Sequence, residues 1–369
     1  MEHGPGTGYG LPGRHESFWM DTTPETSYPP LPGDLEADVV VVGGGITGIT
    51  TAVLLKQAGY RVTMIEAERV SQGVTGHTTA KITSLHRLIY HRLIDRFGSG
   101  QAQQYADANQ AAIEMIASLV ERYDISCDFT RKPAYTYAEA EESRDLVAAE
   151  ADAAQSLGLP ATFVEDVPLP GRTYGAVRFA DQAEFHPRSY LLRLASLVPG
   201  DGSQIFEKTR ALRVQDERDR CRVQTERGTV TARAVILATH YPFYDSPGFY
   251  YARMYPSRSY VLGIRIGEPF PEGMFINAEG PAHSWRSQPA PGGELVLVGG
   301  MEHRTGENVD TRDHYRRLEA YARSVYPIRS LDYRWSAQDY ITIDGVPYIG
   351  RLAEGHENVY IATGFRKWG

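Results

Sequence analysis

The sequence predicts an α/β fold, and three observations carry that prediction. Residues 37–42 (ADVVVV) form a short β-branched run suited to a strand buried on both faces of a parallel sheet. A glycine-rich turn, Gly43-Gly44-Gly45-Ile46-Thr47-Gly48, follows at once and leads into a helical stretch over 49–58, stopped by Gly59. A second run over 61–65 ends on an acid, Glu66.

Strand, turn, helix, strand and acid together make a β-α-β dinucleotide fingerprint, with Gly43, Gly45 and Gly48 as its G-x-G-x-x-G. Gly43 permits the tight turn, Gly45 lets the backbone approach a pyrophosphate, and Gly48 lets the helix pack against the strand. The helix start at Ile46 and Thr47 offers free N–H groups and a positive dipole end to that pyrophosphate. Glu66, 23 residues after Gly43 and followed by Ala67, is placed to accept hydrogen bonds from ribose hydroxyls, and it disfavours a 2′-phosphate. The fingerprint alone leaves FAD and NAD both open.

Composition bounds the rest. A chain of 369 residues suggests about two domains. Apolar residues make up 42% and charged residues 23%, a globular balance. Thirty-eight Lys and Arg against 46 Asp and Glu leave a net charge of −8, which argues against nucleic acid or an anionic membrane as partner. The two cysteines, Cys127 and Cys221, form no CxxC pair, zinc set or disulfide framework, and read as reduced thiols of a cytoplasmic protein. No HExxH, no Cys/His cluster and no GxSxG occurs, so neither a metal site nor a serine-hydrolase site is expected. No run reaches the ~18 apolar residues of a membrane span. Residues 1–34 lack a basic start followed by an apolar run, and read as an irregular arm anchored by Phe18 and Trp19.

Later elements follow in order. The small, polar stretch 70–81 reads as a loop and helix start running under a cofactor. Residues 85–124 read as two helices split at Gly98-Ser99-Gly100, and 139–157 as a third. Glu184-Phe185-His186-Pro187 reads as a turn before a helix over 188–197. AVILA (234–238) is another buried strand, leading to Ala238 and Thr239. Residues 260–266 and 294–298 read as strands, 313–325 as a solvated helix. DGVPYIG (344–350) precedes a last strand over 358–362, which runs into Thr363-Gly364-Phe365.

At these residues the chain resembles the FAD-dependent amine and amino-acid oxidoreductases of the D-amino-acid oxidase type, which include glycine oxidase. The motifs that carry the resemblance are 43–48 with Glu66, the loop 76–81, AVILAT, DGVPYIG and YIATGF, spanning about 38–369. ESFWMDTT, GVTGHTTAKIT, AEFHPRSYLLRLA, GGMEHRTG and GFRKWG resemble more closely a subfamily in which a Rieske iron–sulfur domain follows the oxidoreductase. The resemblance implies a Rossmann-like FAD-binding domain (35–85, 165–245, 335–369) interleaved with a mixed α+β substrate domain (86–164, 246–334). It implies flavin contacts from Thr75, Gly76, His77, Thr78, Thr79, Ala80, Ala238, Thr239, Gly364 and Phe365, beside the fingerprint residues. It also implies a long helix after the flavin loop and a C-terminal Rieske domain; this sequence stops at Gly369 and contains neither.

The implied function is oxidation of the C–N bond of a small amine or amino acid by hydride transfer to flavin N5, with oxygen, a Rieske centre or another acceptor taking the electrons. Two other readings stay open. One is a truncated, non-catalytic or partner-dependent flavoprotein module. The other is an NAD-dependent dehydrogenase, which the fingerprint permits and the DGVPYIG and YIATGF motifs oppose. Such chemistry asks the protein to orient the substrate, and Arg is the usual holder of a carboxylate. Arg286, in SWRS before a turn and strand, is the first candidate, with a strand-edge role as its alternative. Arg258 is the second; its neighbour Tyr260 reads as core. His303 and Arg304 either close the flavin edge or form a polar turn. His77 either attaches FAD covalently or hydrogen-bonds to it. Lys81 either assists proton or oxygen chemistry at N5 or binds the pyrophosphate or a carboxylate.

Overall fold

The computed structural model describes residues 10–217 and 219–367, so Met1 to Tyr9, Arg218, Trp368 and Gly369 lie outside the described residues. The chain divides into two compact units. One comprises Trp19–Thr78, Pro187–Arg258 and Ala337–Gly369; the other comprises Met1–Phe18, Thr79–His186 and Ser259–Ser336.

The first unit is built on a six-stranded sheet in the order Tyr348–Arg351, Val359–Thr363, Ala234–Leu237, Val39–Val42, Val62–Ile65, Gln204–Phe206. All neighbours pair parallel except the edge strand Tyr348–Arg351. All four valines of Val39–Val42 are buried, as the unbroken β-branched run requires of a central parallel strand. One face packs on a second sheet, ordered Leu35–Glu36, Gly228–Ala232, Arg220–Thr225, Ala211–Glu217. Val40, Val42, Val214, Val223, Val230, Val235 and Ile361 share that core. Helix Ile46–Gln57 follows the glycine turn, burying Ile49, Ala52 and Val53, and helix Pro187–Ser196 packs beside it.

The second unit is built on a nine-stranded sheet. Its path runs Ile328–Thr342, Met254–Ile266, Gly293–Arg304, His283–Ala290, Met274–Asn277, Thr130–Tyr137, Ala176–Glu184, Lys81–Ile82, with Ala161–Val164 also paired to Ala176–Glu184; residues 254–258 and 337–342 of its two longest strands count with the first unit. Helix Thr311–Val325 packs on strand Gly293–Arg304, and its start is capped by the Asp310 carboxylate accepting from Arg312 N. Helix Tyr90–Phe97 has no side-chain cap of its own. The buried carboxylate of Glu150 serves instead, accepting from the N–H groups of Ile89, Tyr90 and His91 at 2.7–3.0 Å.

Three expectations change. Residues 165–186 join the nine-stranded sheet rather than the fingerprint domain, because Ala176–Glu184 pairs along Thr130–Tyr137. No α-helix begins within 70–81. A single 3-10 turn, Val74–His77, gives way to the short strand Lys81–Ile82, which pairs with Glu184 and Ala183. His303 and Arg304 end a strand instead of forming a turn. In the arm, Phe18 and Trp19 are both buried within a short helix, Phe18–Asp21. Residues 11–13 are held by the buried guanidinium of Arg334, which donates to the carbonyls of Leu11, Pro12 and Gly13.

Candidate active site

In the first unit, chain direction defines the site. From Val39–Val42 the sheet grows one way through Val62–Ile65 and Gln204–Phe206, and the other way through Ala234–Leu237 and Val359–Thr363. The order reverses between Val39–Val42 and Ala234–Leu237, and the crevice beyond the carboxyl ends of such strands is where ligands bind in open α/β sheets. Gly43 and Ala238 leave those two strands side by side, so close that a Cβ on Gly43 would overlap Ala238 O; Gly43 also takes a φ of +108°. A Cβ on Gly48 would overlap Gly43 O. At Gly45, a Cβ would lie 3.1 Å from Thr75 Oγ1. The three fingerprint glycines therefore make a backbone cradle in which the helix start and the strand ends approach without side chains of their own.

Side chains brace the cradle. Glu66 Oε2 accepts from Gly44 N at 2.7 Å and Oε1 from Glu68 N at 2.9 Å, leaving each carboxylate oxygen a further lone pair for a ribose hydroxyl. Thr75 Oγ1 accepts from Ile46 N at 3.2 Å, tying the loop to the helix start. His77 Nδ1 lies 2.8 Å from Gly73 O. Ala238 N donates to Val42 O, and Thr239 Oγ1 donates to Tyr241 O. Gly364 takes a φ of +73° where a Cβ would overlap Thr342 Cγ2, and Phe365 bridges to Ile341. Thus Gly43 to Gly48, Glu66, Ala67, Thr75 to Thr78, Ala238, Thr239, Gly364 and Phe365 all fall in one unit. Arg258 belongs to it as well, with Nη2 3.5 Å from Gln338 Oε1.

Thr79, Ala80, Lys81 and Arg286 belong to the other unit. Arg286 is fully buried. Its Nε donates to Ser287 O, its Nη1 to the carbonyls of Ala80, Phe185 and Thr79, and its Nη2 to Gln288 Oε1, while Glu184 Oε2 lies 3.3 Å from Nε. The guanidinium is thus enclosed by protein acceptors from neighbouring segments, a setting that neither expected role, carboxylate holder or strand-edge arginine, describes. Glu184, also buried, takes Lys132 Nζ at 2.5 Å as its second cation. Lys81 is half-buried and donates to Ser284 Oγ at 3.1 Å and Thr79 Oγ1 at 3.3 Å. Burial, and then the like charge of Arg286, push its pKa down to about 7; Glu184 opposes the shift.

Sequence reasoning missed Glu184, Lys132 and Ser284, whose positions in the chain lie far apart and carry no spacing signal. It also missed what Trp19 does. Trp19 Nε1 donates to Thr78 O at 2.7 Å, and Met20 Sδ would lie 2.9 Å from a Cβ at Gly76, so the arm backs the loop that carries Thr75 to Thr78. Thr23 Oγ1 donates to Trp19 O, and the buried Arg188 donates to Thr23 O. His303 stacks in a ring cluster with Tyr260 and His314.

The strand order, the cradle and its acid define a dinucleotide-dependent α/β oxidoreductase fold. The family model described as FAD dependent oxidoreductase (DAO) matches residues 38–369, and the chain belongs to that family. Its cofactor is FAD, which the cradle fits: a glycine turn that runs directly into a helix start for a pyrophosphate, and Glu66 at the turn for a ribose. The chain is 40% identical to the putative Rieske 2Fe-2S iron-sulfur protein YhfW of Bacillus subtilis, over 96% of this chain and 70% of that protein. It is 23% identical to glycine oxidase of Bacillus licheniformis, over 89% of this chain and 88% of that protein. Its fold matches that of L-proline dehydrogenase from P. horikoshii with a TM-score of 0.73 at 19% identity, covering 92% and 90% of the two chains. Among the described residues, no helix is long and apolar enough to cross a membrane.

Proposed function

We propose that this FAD-dependent oxidoreductase oxidises the C–N bond of a small amine or amino acid. The observation that carries the reading is the FAD cradle at the reversal of strand order, in a chain related to a glycine oxidase. FAD, when bound, takes a hydride equivalent at N5. The chain's own residues do the rest. Gly43, Gly45 and Gly48 open the backbone to the pyrophosphate, and the start of helix Ile46–Gln57 faces it with its positive end. Glu66 orients the ribose. Lys81 Nζ, in the nine-stranded unit, can hold or release a proton at neutral pH. Arg258 and the loop residues His77 to Ala80 complete the cofactor and substrate contacts in this reading, and the protein works in the cytoplasm.

Anaerobic mixing of the FAD-loaded protein with a panel of amines and amino acids tests it. Loss of the flavin's visible absorbance with at least one of them is expected. If none reduces the flavin while a chemical reductant does, the reading fails.

The Bacillus relative's name supports a second proposal, that electrons pass on to a Rieske-type iron–sulfur partner. Slow reoxidation of the reduced flavin by oxygen, with fast reoxidation by a one-electron acceptor, is the expected result. Rapid reoxidation by oxygen alone would sink this proposal.

A further inference from the structure

Arg188, the second residue of helix Pro187–Ser196, is fully buried and poorly partnered. A guanidinium carries five N–H donors. Nη1 donates to Thr23 O at 3.0 Å and to Thr23 Oγ1. Nε and Nη2 are buried with no hydrogen-bond partner among the described residues. Glu207, the carboxylate whose charge reaches Arg188, has both oxygens engaged elsewhere. Its Oε1 accepts from Val70 N at 2.9 Å and from Thr26 Oγ1, and its Oε2 from Tyr28 N at 3.0 Å. A charge buried on such terms adds little to the fold, since apolar residues of similar volume are often as stable or more so in its place. Its one partner gives it a use. Thr23 Oγ1 donates to Trp19 O at 2.5 Å, and Trp19 Nε1 donates to Thr78 O at 2.7 Å. Residues 22–34 form no helix or strand, so side-chain bonds of this kind hold the arm in place. Thr78 ends the turn Val74–His77, in the loop assigned to FAD.

We propose that Arg188 is a positioning residue for FAD, acting on the cofactor loop through Thr23 and Trp19. The guanidinium fixes Thr23, the Thr23 hydroxyl fixes the Trp19 carbonyl, and the Trp19 indole fixes Thr78 O. The positive charge has a specific part in this relay. The Thr23 hydroxyl accepts from a cation and passes on its own proton to Trp19 O, and a hydroxyl polarised in this way is a stronger donor. All four residues belong to the fingerprint unit. A competing route exists, because helix Pro187–Ser196 also packs directly against the turn Val74–His77. A purely structural Arg188 would reach the loop through that packing instead. The relay concerns how FAD is held, and it stands whatever substrate reduces the flavin.

The test is a mutant cycle read on FAD affinity. FAD is titrated into the FAD-free protein and followed by flavin fluorescence, with urea midpoints measured alongside. Arg188→Met is expected to weaken FAD about fivefold, the loss of one hydrogen bond from the relay, with the urea midpoint unchanged or raised. Arg188→Lys, which keeps the charge and a donor for Thr23, should recover most of the loss. The deciding variant combines Arg188→Met with Trp19→Phe. Once the bond to Thr78 O is gone, Arg188→Met should weaken FAD no further. Hydrogen exchange at the amides of residues 74–78, read without FAD, should follow the same pattern: faster in each single variant and no faster in the double. Losses that multiply, to about 25-fold in the double variant, overturn the relay, because independent sites add in free energy. A lowered midpoint with FAD affinity intact overturns it too, and makes Arg188 structural. Should Arg188→Met lose its fold, Thr23→Val removes the linking hydroxyl and takes its place in the cycle, with the same outcomes for and against.

Discussion

The FAD cradle and the buried charge network around Arg286 are built on opposite principles. The cradle is made of absences. Gly43 and Gly48 let backbone meet backbone where any side chain would collide, and Gly45 leaves room for Thr75. The network is made of long side chains. Arg286, Glu184 and Lys132 reach one another from three strands, and each satisfies groups that would otherwise be buried unpaired. The first kind of site is a property of one continuous segment. The second exists only once distant strands are in register, and it fails as a unit.

The largest expected effect breaks the network. Arg286→Met leaves Glu184 short of a cation and four carbonyls without this donor, and should cost about 3–5 kcal/mol in urea unfolding, the range for a buried pair losing one partner. A variant with unchanged stability and a raised KM alone would return Arg286 to the substrate. The next effect breaks the cradle. Gly48→Ala places a methyl against Gly43 O and should destabilise by about 1–3 kcal/mol, as overpacking does, with flavin absorbance lost on gel filtration. The contrast between the two sites would be blunted if Gly48→Ala kept its flavin. The smallest effect sharpens the boundary of the cradle. Trp19→Phe keeps the packing and removes the bond from Nε1 to Thr78 O, worth about 1 kcal/mol, so FAD should bind about fivefold more weakly with little change in unfolding midpoint. If stability fell while FAD affinity held, Trp19 would be core and no brace for the loop.

How much of this was legible follows the same contrast. Val39–Val42, the glycine turn, helix Ile46–Gln57 and Glu66 were readable because strand, turn and helix signals sit in one stretch under thirty residues long. Strands Ala234–Leu237 and Val359–Thr363 were readable from their apolar runs. The domain boundary near 165–186 was misread because a strand's sequence does not say which sheet it joins; Ala176–Glu184 could not be told from a fingerprint-domain strand until its register with Thr130–Tyr137 was seen. The stretch 70–81 reads as a loop and helix start; the loop is there, but Ala80 takes a φ of +59°, which no helix admits. Arg286 was singled out for its chemistry, and its surroundings decided its role.

By itself the sequence determined an α/β chain with a dinucleotide turn and an acid for the ribose, because those needs are met by neighbours along the backbone. It also determined which residue types were on hand for chemistry: one lysine after the flavin loop and one arginine in a strand. Only the tertiary structure decided that the arginine is sealed in and the lysine is left with two hydroxyls. Burial and partner count are set by strands that meet across more than two hundred residues, from Lys81 to Ser284, and no local pattern encodes them.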